Sequence, residues 1–196
     1  MNKEEIKGIV KKYLEIFPDE KDRLSTLLKY LEKTPEDKID DWNNTDGHIT
    51  AGGFVYSTDT KRFLVMFHKD LNMFLYPGGH CEREDSSPLE RAKQETIEET
   101  GIKKFEIIKI FDSELIPIDI DTHLIPYNKR VNMPEHYHFD FRYLFKVKDE
   151  KNVNIDKNEM SSYKWIDEKE LSQDKNYGTI TKKLKKFLDR EDEKTF

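Results

Sequence analysis

The chain has 196 residues, of which 35% are hydrophobic, 12% aromatic and 38% charged, with a net charge of -6. This length fits one folded domain or one domain with an appendage, and the aromatic content argues against disorder, which needs few aromatic residues and a large net charge. The negative net charge and the lack of a dense run of basic residues argue against binding of duplex nucleic acid. No stretch reaches the length of about 18 apolar residues that a membrane span needs. We therefore expect a cytoplasmic protein with no membrane contact.

Two short amphipathic helices begin the chain. Apolar residues recur at three-and-four spacing over residues 6–17 and 24–31, with Pro18 and Pro35 ending the two patterns. Helices this short bury little by themselves, so they should pack on the body that follows or on a second subunit, and a homodimer formed through them is one expectation. The polar stretch 36–46 is the predicted junction. We therefore divide the chain into a helical N-terminal extension, residues 1–45, and a second domain, residues 46–196.

Short apolar runs separated by turn residues predict β-strands after the junction. The predicted strands are 48–57, 63–68, 74–76, 105–111, 115–125, 137–147 and 162–166. One helix interrupts them, from Pro88 to near Gly101 with Ser87 as its N-cap, and a last helix follows over 180–188. Because helices do not alternate with every strand, this order favours an α/β or α+β layered domain over a doubly wound parallel sheet.

The helix that begins at Pro88 carries an acidic stripe. At helical spacing, Glu95, Glu98 and Glu99 lie close together on one face. A separate stripe is expected to pack against the domain, and it consists of Leu89, Ala92, Thr96 and Thr100. Like charges at these spacings repel, and a bound cation would offset the repulsion; carboxylate oxygens suit Mg²⁺ or Mn²⁺ that bridges to substrate phosphates. Spacing alone favours the simpler interpretation, a solvated acidic face, because exposed charge runs are common.

The segment 79–102 resembles the signature of the Nudix hydrolases, G-x5-E-x7-R-E-U-x-E-E-x-G-U, in which U is aliphatic. The matching positions are Gly79, Glu95, Glu98, Glu99, Gly101 and Ile102. The loop before the helix is one residue longer than the signature, so its first acid is Glu84 or Asp85. Gln94 stands at the arginine position and Thr96 at the aliphatic position. In the family that arginine pairs with the loop acid, whereas Gln94 offers only a neutral hydrogen bond, which is weaker.

This resemblance implies a Nudix-type α/β/α sandwich with a mixed β-sheet, in which residues 46–196 are the Nudix hydrolase domain. It implies an Mg²⁺- or Mn²⁺-dependent pyrophosphohydrolase that cleaves a diphosphate linkage in a nucleoside diphosphate joined to another group. Carried over by position, Glu95, Glu98 and Glu99 would be catalytic residues and metal ligands, and the Gly79 carbonyl would be a further ligand. One of these acids, or an acid from a later loop, would position or deprotonate the attacking water. Glu159 lies where some members supply an extra acid.

A broader similarity is to bacterial Nudix proteins with a helical N-terminal extension. It runs through four segments outside the signature, residues 46–51, 67–69, 118–126 and 136–143. The resemblance therefore extends over most of the chain and supports the expected fold more than any particular substrate.

Polar and apolar residues alternate over residues 135–147, which include the predicted strand 137–147, and the polar positions include His136, His138, Asp140 and Arg142. These four share one face. The simple interpretation is a solvated sheet face. The functional one is that the face lines the substrate cleft, with Arg142 or a histidine contacting phosphate. Asp140 or Glu135 would assist the metal site, and His123 could join from the preceding strand. A cupin-like metal site that begins at His136 and His138 is disfavoured, because no histidine follows.

Two functions follow from the sequence. The first is a Nudix pyrophosphohydrolase that acts on a small nucleoside diphosphate derivative. The alternative, motivated by Gln94 and the longer loop, is a catalytically weak or inactive Nudix-fold module that binds nucleotides or regulates. Cys81, the only cysteine, is interpreted as an ordinary loop thiol and not a nucleophile, because the sequence indicates no partner base.

Overall fold

An eight-stranded mixed sheet with helices on both sides forms the body of the protein. The structure is a computed structural model that describes residues 1–111, 113–127, 129, 132–174 and 177–194. The helices are α1 Lys3–Ile16, α2 Ser25–Lys33, α3 Pro88–Thr100, α4 Glu168–Gln173 and α5 Gly178–Lys194. The strands are β1 Gly47–Ser57, β2 Arg62–His68, β3 Met73–Leu75, β4 Gly78–His80, β5 Glu106–Ile107, β6 Asp119–Ile125, β7 His136–Val147 and β8 Met160–Ile166.

Strands β1 and β7 form the centre of the sheet and run parallel, in register from Gly47 opposite Tyr137 to Ser57 opposite Val147. The other pairings between the described strands are antiparallel. On the edge away from β1, strand β7 pairs with β6 and β5. Strand β1 also pairs with β4 and β2, and β2 pairs in turn with β3 and β8. The pairings β4–β1, β1–β7 and β7–β6 therefore place four strands that are far apart in sequence next to one another.

The two faces of the sheet are covered by different helices. A Cβ on Gly53 would overlap the ring of Phe145 and lie 3.0 Å from Thr96 Oγ1, so α3 covers the face to which Gly53 points. The ring of Tyr177, just before α5, packs 5.6 Å from the ring of Phe54. Because successive residues of a strand point to opposite faces, Gly53 and Phe54 lie under different layers. The expected α/β/α sandwich with a mixed sheet is confirmed.

The N-terminal extension packs on the sheet and on α5. The ring of Phe17 lies 6.4 Å from that of Phe187, and the ring of Tyr30 lies 4.6 Å from that of Phe139. The Tyr30 hydroxyl donates to the Gly47 carbonyl at 2.7 Å. The buried apolar residues of α1 and α2 belong to the same hydrophobic cluster as the sheet. The domain boundary and the homodimer stay predictions, and the apolar helix faces that motivated the homodimer are covered within the chain.

Two strands are shorter than the sequence predicted. The run 105–111 contributes only β5, two residues paired with β7, and Phe111 at its end has a φ of 48°, which does not suit a strand. The run 115–125 becomes a strand only at Asp119, after Pro117, which has no N–H to donate to a neighbouring strand. Among the described residues, no helix is long and apolar enough to cross a membrane.

Candidate active site

Helix α3 begins and ends where the sequence predicted. The Ser87 hydroxyl accepts a hydrogen bond from the Glu90 N–H at 3.3 Å, and Pro88 occupies the first turn. At the other end Gly101 has a φ of 70° and its N–H donates to the Ile97 carbonyl at 2.9 Å. A left-handed residue at this position favours glycine. These caps fix the length of α3 and therefore the place of the acidic stripe near its C-terminus.

Two of the acidic side chains lie against the backbone of β4. The Glu99 carboxylate accepts a hydrogen bond from the Gly78 N–H at 3.0 Å, and Glu99 is only 6% exposed. A Cβ on Gly79 would overlap the Glu95 carboxylate, so only glycine fits there without a shift. Glu98 continues the stripe on the exposed side of α3. The three carboxylates and the glycine turn of β4 thus form one group, which we call the carboxylate cluster.

Glu95, which is partly buried, and Glu99, which is buried, both have carboxyl groups with raised pKa values. Burial raises the pKa of Glu95 from 4.5 to about 7, with the charges of Glu98 and Glu159 adding to the effect and Arg91 opposing it. Burial likewise raises the pKa of Glu99 to about 8, with Glu95 and Glu159 adding. Buried carboxylates that repel one another favour a proton or a cation between them. A divalent cation would supply positive charge beyond that of Arg91, which lies near Glu95 alone among the three acids.

A later loop brings a fourth acid to the cluster. The Asp156 N–H donates to the Glu99 carbonyl at 3.0 Å, which holds the loop against the end of α3. The Glu159 carbonyl accepts a hydrogen bond from the Lys69 N–H at 2.9 Å, which holds the loop against the chain that follows β2. The loop is therefore fixed on both sides. Its acidic residue Glu159, singled out in the sequence by position, acts electrostatically on the carboxyl groups of Glu95 and Glu99.

The loop before α3 is held by an arginine that the signature did not indicate. Arg91 Nε and Nη2 donate to the two carboxylate oxygens of Asp85 at 2.8 and 3.1 Å, and Arg91 Nη1 lies 3.4 Å from Glu95 Oε1. The Arg91 and Asp85 side chains are 9% and 3% exposed. The loop acid is therefore Asp85 and not Glu84. Gln94 is exposed, and Arg91, one helical turn earlier, makes the pairing expected of an arginine at position 94.

Sequence reasoning missed Arg91 because the signature places the arginine next to the first glutamate of the acidic stripe. The available signal was spacing: Arg91 stands four residues before Glu95, so it lies on the same helix face and within reach of it. The weakening expected from Gln94 is compensated from a different turn of α3.

The four predicted substrate residues of β7 do not form one surface with the carboxylate cluster. They point to the face of the sheet opposite α3, because Asp140 pairs with Thr50 and His138 pairs with His48 in the regular register of β1 and β7. Within that face they divide into two groups. Asp140 and Arg142 belong to a buried ion-pair network, while His136 and His138 lie among other histidines.

Arg142 is the centre of the ion-pair network. Its side chain is 5% exposed. Its nitrogen atoms lie near the carboxylate oxygens of Asp119 at 3.3 Å, Asp121 at 2.9 Å and Asp140 at 2.9 Å. The interpretation of this end of the strand as a solvated face is therefore wrong. A phosphate contact from Arg142 would have to displace a carboxylate, so the substrate role of Asp140 and Arg142 stays a prediction without support from this geometry.

The histidines at the other end of the face touch one another. His136 Nε2 and His138 Nε2 are 3.2 Å apart, and the ring of His48 lies 4.7 Å from that of His138. Burial lowers the pKa of His48 to about 3 and that of His138 to about 2, and neighbouring histidines add to both effects. Both rings are therefore neutral at neutral pH. The substrate role of His136 and His138 stays a prediction.

Cys81 follows the carboxylate cluster in sequence but is a buried thiol. Its residue is 2% exposed, and burial raises its pKa well above the ordinary value, with the charge of Asp85 adding. A reactive cysteine needs an exposed thiol with a lowered pKa. The interpretation of Cys81 as an ordinary thiol agrees with these properties.

Comparisons with known proteins agree with this fold. The NUDIX domain model matches residues 46–189. A curated relative, the "Probable DHNTP pyrophosphohydrolase" of Lactococcus lactis subsp. cremoris, is 34% identical over 107 residues, which are 55% of this chain and 58% of that protein. The match therefore spans little more than half of the relative's length.

Solved structures share the fold over most of their own length. A NUDIX-family hydrolase from Clostridium perfringens has a TM-score of 0.55 and 22% identity, covering 70% of this chain and 96% of that one. The Ap4A hydrolase of C. elegans in a binary complex has a TM-score of 0.54 and 20% identity, covering 71% of this chain and 96% of that one. At these identities the likeness concerns the fold alone.

Proposed function

The chain belongs to the Nudix family, and on that premise we propose that it is a metal-dependent pyrophosphohydrolase that cleaves a diphosphate linkage in a nucleoside diphosphate joined to another group. The observation that carries this proposal is the carboxylate cluster, in which the partly buried Glu95 lies against Gly79, the buried Glu99 lies against Gly78, and both have raised pKa values. The name of the Lactococcus relative supports the same class of reaction.

The donor atoms of the cluster fit Mg²⁺ or Mn²⁺. In this proposal Glu95, Glu98, Glu99 and the Gly79 carbonyl hold the ion, because hard oxygen ligands are those that these ions prefer. The absence of a Cβ at Gly79 lets the Glu95 carboxylate lie against the backbone that carries the proposed carbonyl ligand. When bound, the ion neutralises phosphate charge and makes water easier to deprotonate.

The remaining steps fall to side chains around the cluster. Arg91 and Asp85 hold the preceding loop against α3 and so keep Glu95 beside Gly79. Glu159 is the acid of a later loop that we assign to the attacking water, whose proton it would orient or accept at its carboxylate. Its position is supported by its electrostatic effect on the carboxyl groups of Glu95 and Glu99. A general base must lie close to the proton that it accepts, and the backbone hydrogen bonds from Asp156 to Glu99 and from Lys69 to Glu159 support this proposal because they hold the loop beside α3 and β2.

The substrate is proposed as a small molecule with a diphosphate linkage. The name of the Lactococcus relative makes DHNTP the first compound to test. The wider panel holds ADP-ribose, nucleotide sugars, dinucleoside polyphosphates and nucleoside triphosphates. Each compound is incubated with Mg²⁺, with Mn²⁺ or with a chelator, and product formation is measured.

Matched glutamine variants test the roles of the acids. Glu98→Gln or Glu99→Gln should lower metal-dependent turnover by at least about 100-fold, because each removes a charged oxygen ligand. Glu90→Gln is the control, since Glu90 lies in the first turn of the same helix, pairs with Lys93 and has a side chain that is 42% exposed. Turnover that survives the chelator, or full activity of both ligand variants, would contradict the proposal. Silence across the panel, with thermal stabilisation by one compound, would favour the nucleotide-binding module.

A further inference from the structure

Five of the six histidines meet on the face of the sheet that points away from α3. They are contributed by four strands: His48 by β1, His80 by β4, His123 by β6, and His136 and His138 by β7. The ring of His48 lies 4.7 Å from His138, 4.8 Å from His80 and 4.9 Å from His136. The ring of His123 lies 5.5 Å from that of His138. We call this group the histidine cluster.

Three members of the cluster present ring nitrogens at a spacing that suits one metal ion. His48, His136 and His138 each offer a nitrogen, and the three atoms all lie within 4.8 Å of one another. An ion with metal–nitrogen bonds of about 2.0–2.1 Å in tetrahedral geometry separates its ligand nitrogens by about 3.3 Å. His136 Nε2 and His138 Nε2, 3.2 Å apart, already have this separation. The third nitrogen would need to move by at most about 1.5 Å to complete the set.

The hydrogen bonds of the cluster leave nitrogens available for a ligand. His48 is 1% exposed, and neither of its ring nitrogens has a hydrogen-bond partner among the described residues. Buried polar atoms without a partner are rare and costly. His136 Nδ1 lies 2.7 Å from the Pro134 carbonyl, which can only accept, so Nδ1 carries the hydrogen and Nε2 keeps its lone pair. Metal-bound histidines show this pattern, in which the second nitrogen donates to a carbonyl.

We propose that His48, His136 and His138 form a transition-metal site, separate from the carboxylate cluster, that binds Zn²⁺. Imidazole nitrogens suit Zn²⁺, whereas the carboxylates of α3 suit Mg²⁺ or Mn²⁺. Three histidine ligands leave a fourth position on Zn²⁺ for water or a substrate oxygen. The rings of His80 and His123 border the site.

Strand β4 separates the proposed zinc site from the carboxylate cluster. Its register with β1 places Gly79 opposite Ala51 and His80 opposite Thr50, so the two neighbours point to opposite faces of the sheet. Gly79 faces the Glu95 carboxylate, and His80 faces His48 and His138. The two sites therefore have different ligands and can be altered independently.

The test is direct titration of the full chain with Zn²⁺. The protein is stripped with a chelator, and its affinity and stoichiometry are measured by competition with a chromophoric chelator. Co²⁺ is added in a parallel titration, because its visible spectrum reports tetrahedral nitrogen ligation. We expect one Zn²⁺ per chain at the histidine cluster in the wild type and an increase of the melting temperature when it binds.

Variants locate the ion. His138→Asn and His136→Gln, which keep a polar side chain, should weaken Zn²⁺ binding by at least about 100-fold, because each removes a ligand. His68→Ala is the control, since His68 is the sixth histidine and instead accepts a hydrogen bond from the Leu71 N–H at 3.2 Å. Glu99→Gln should leave Zn²⁺ binding unchanged. Folding of each variant is checked by circular dichroism and melting before titration.

Two results would overturn the zinc site. One is no binding of Zn²⁺ or Co²⁺ by the folded wild type. The other is binding that is retained by both folded histidine variants, or that is lost in Glu99→Gln, which would place the ion at the carboxylate cluster. None of these readouts depends on turnover. The zinc site can therefore fail while the hydrolase proposal stands, and the reverse.

Discussion

Replacing Arg91 with glutamine should destabilise the loop and the helix that carry the candidate active site. Arg91 is the positively charged partner of Asp85 through two hydrogen bonds of 2.8 and 3.1 Å. Glutamine has a similar length and can keep a single neutral hydrogen bond, but it leaves the Asp85 carboxylate buried without an opposite charge. The change therefore tests the ion pair with little change in volume.

The expected magnitude follows from how deeply this pair is buried. With side chains 9% and 3% exposed, solvent screens the Arg91–Asp85 interaction little. Removing one partner of a buried ion pair costs about 3–5 kcal/mol, and the remaining hydrogen bond returns about 1 kcal/mol. The contact of Arg91 with Glu82 adds little, because the Glu82 side chain is 64% exposed. We expect the free energy of unfolding to fall by about 3 kcal/mol.

Urea denaturation measures this loss, and a double-mutant cycle with Asp85→Asn assigns it to the pair. The matched control is Lys93→Gln, which breaks an ion pair with Glu90 on the same helix whose side chains are 27% and 42% exposed. An exposed pair of this kind contributes about 0.5 kcal/mol or less. An Arg91→Gln loss no larger than that of the control, or additive effects of Arg91→Gln and Asp85→Asn, would refute the role given to the ion pair.

Three further predictions concern the same region. Gly79→Ala should abolish metal-dependent turnover, because its Cβ would overlap the Glu95 carboxylate, whereas Gly8→Ala, whose Cβ meets nothing within 4 Å, should leave turnover unchanged in the same assay. The folded pKa values of about 7 for Glu95 and about 8 for Glu99 lie above the ordinary 4.5, so the folded state holds protons that the unfolded state has already lost. The stability of the metal-free protein should therefore fall as pH rises from about 4.5 to about 8, and melting curves should show that Mg²⁺ stabilises more at about pH 8 than at about pH 5.5; equal stabilisation at both would contradict this. Cys81 should react with a thiol reagent only after unfolding, as followed by absorbance with and without urea, and rapid labelling of the folded chain would show that the thiol is accessible.

Local patterns predicted those parts of the site that depend on short stretches of sequence. Ser87, Pro88 and Gly101 specify where α3 begins and ends, because caps act within one turn of a helix. Alternation along β7 predicted that His138 and Arg142 share a face. The ion pair of Arg91 with Asp85 was missed because the signature indicates an arginine only at position 94. The strand predicted over 105–111 was too long, because an apolar run does not show where hydrogen bonding to the neighbouring strand, here β7, ends.

Contacts between distant strands are what the sequence could not supply. His48 and His138 lie opposite each other only because β1 and β7 pair in parallel with one register, and a slip of one residue would turn every side chain of β7 to the other face. The register of β6 with β7 places Asp119 opposite Arg142 and Asp121 opposite Asp140, so Arg142 meets both acids and is buried instead of solvated. The predicted solvated face and the predicted phosphate contact both assumed open space on that side of the sheet.

The adjacency of Gly79 and His80 shows how a short strand can serve two chemistries. In the family signature Gly79 is a required position and His80 is one of the unrestricted positions that follow it. The backbone of β4 turns the first toward the carboxylates and the second toward the histidines, since a strand alternates its faces. A residue that the signature leaves unrestricted is therefore free to take part in a separate site. Zn²⁺ titration of His138→Asn against Glu99→Gln decides whether the histidine cluster is such a site.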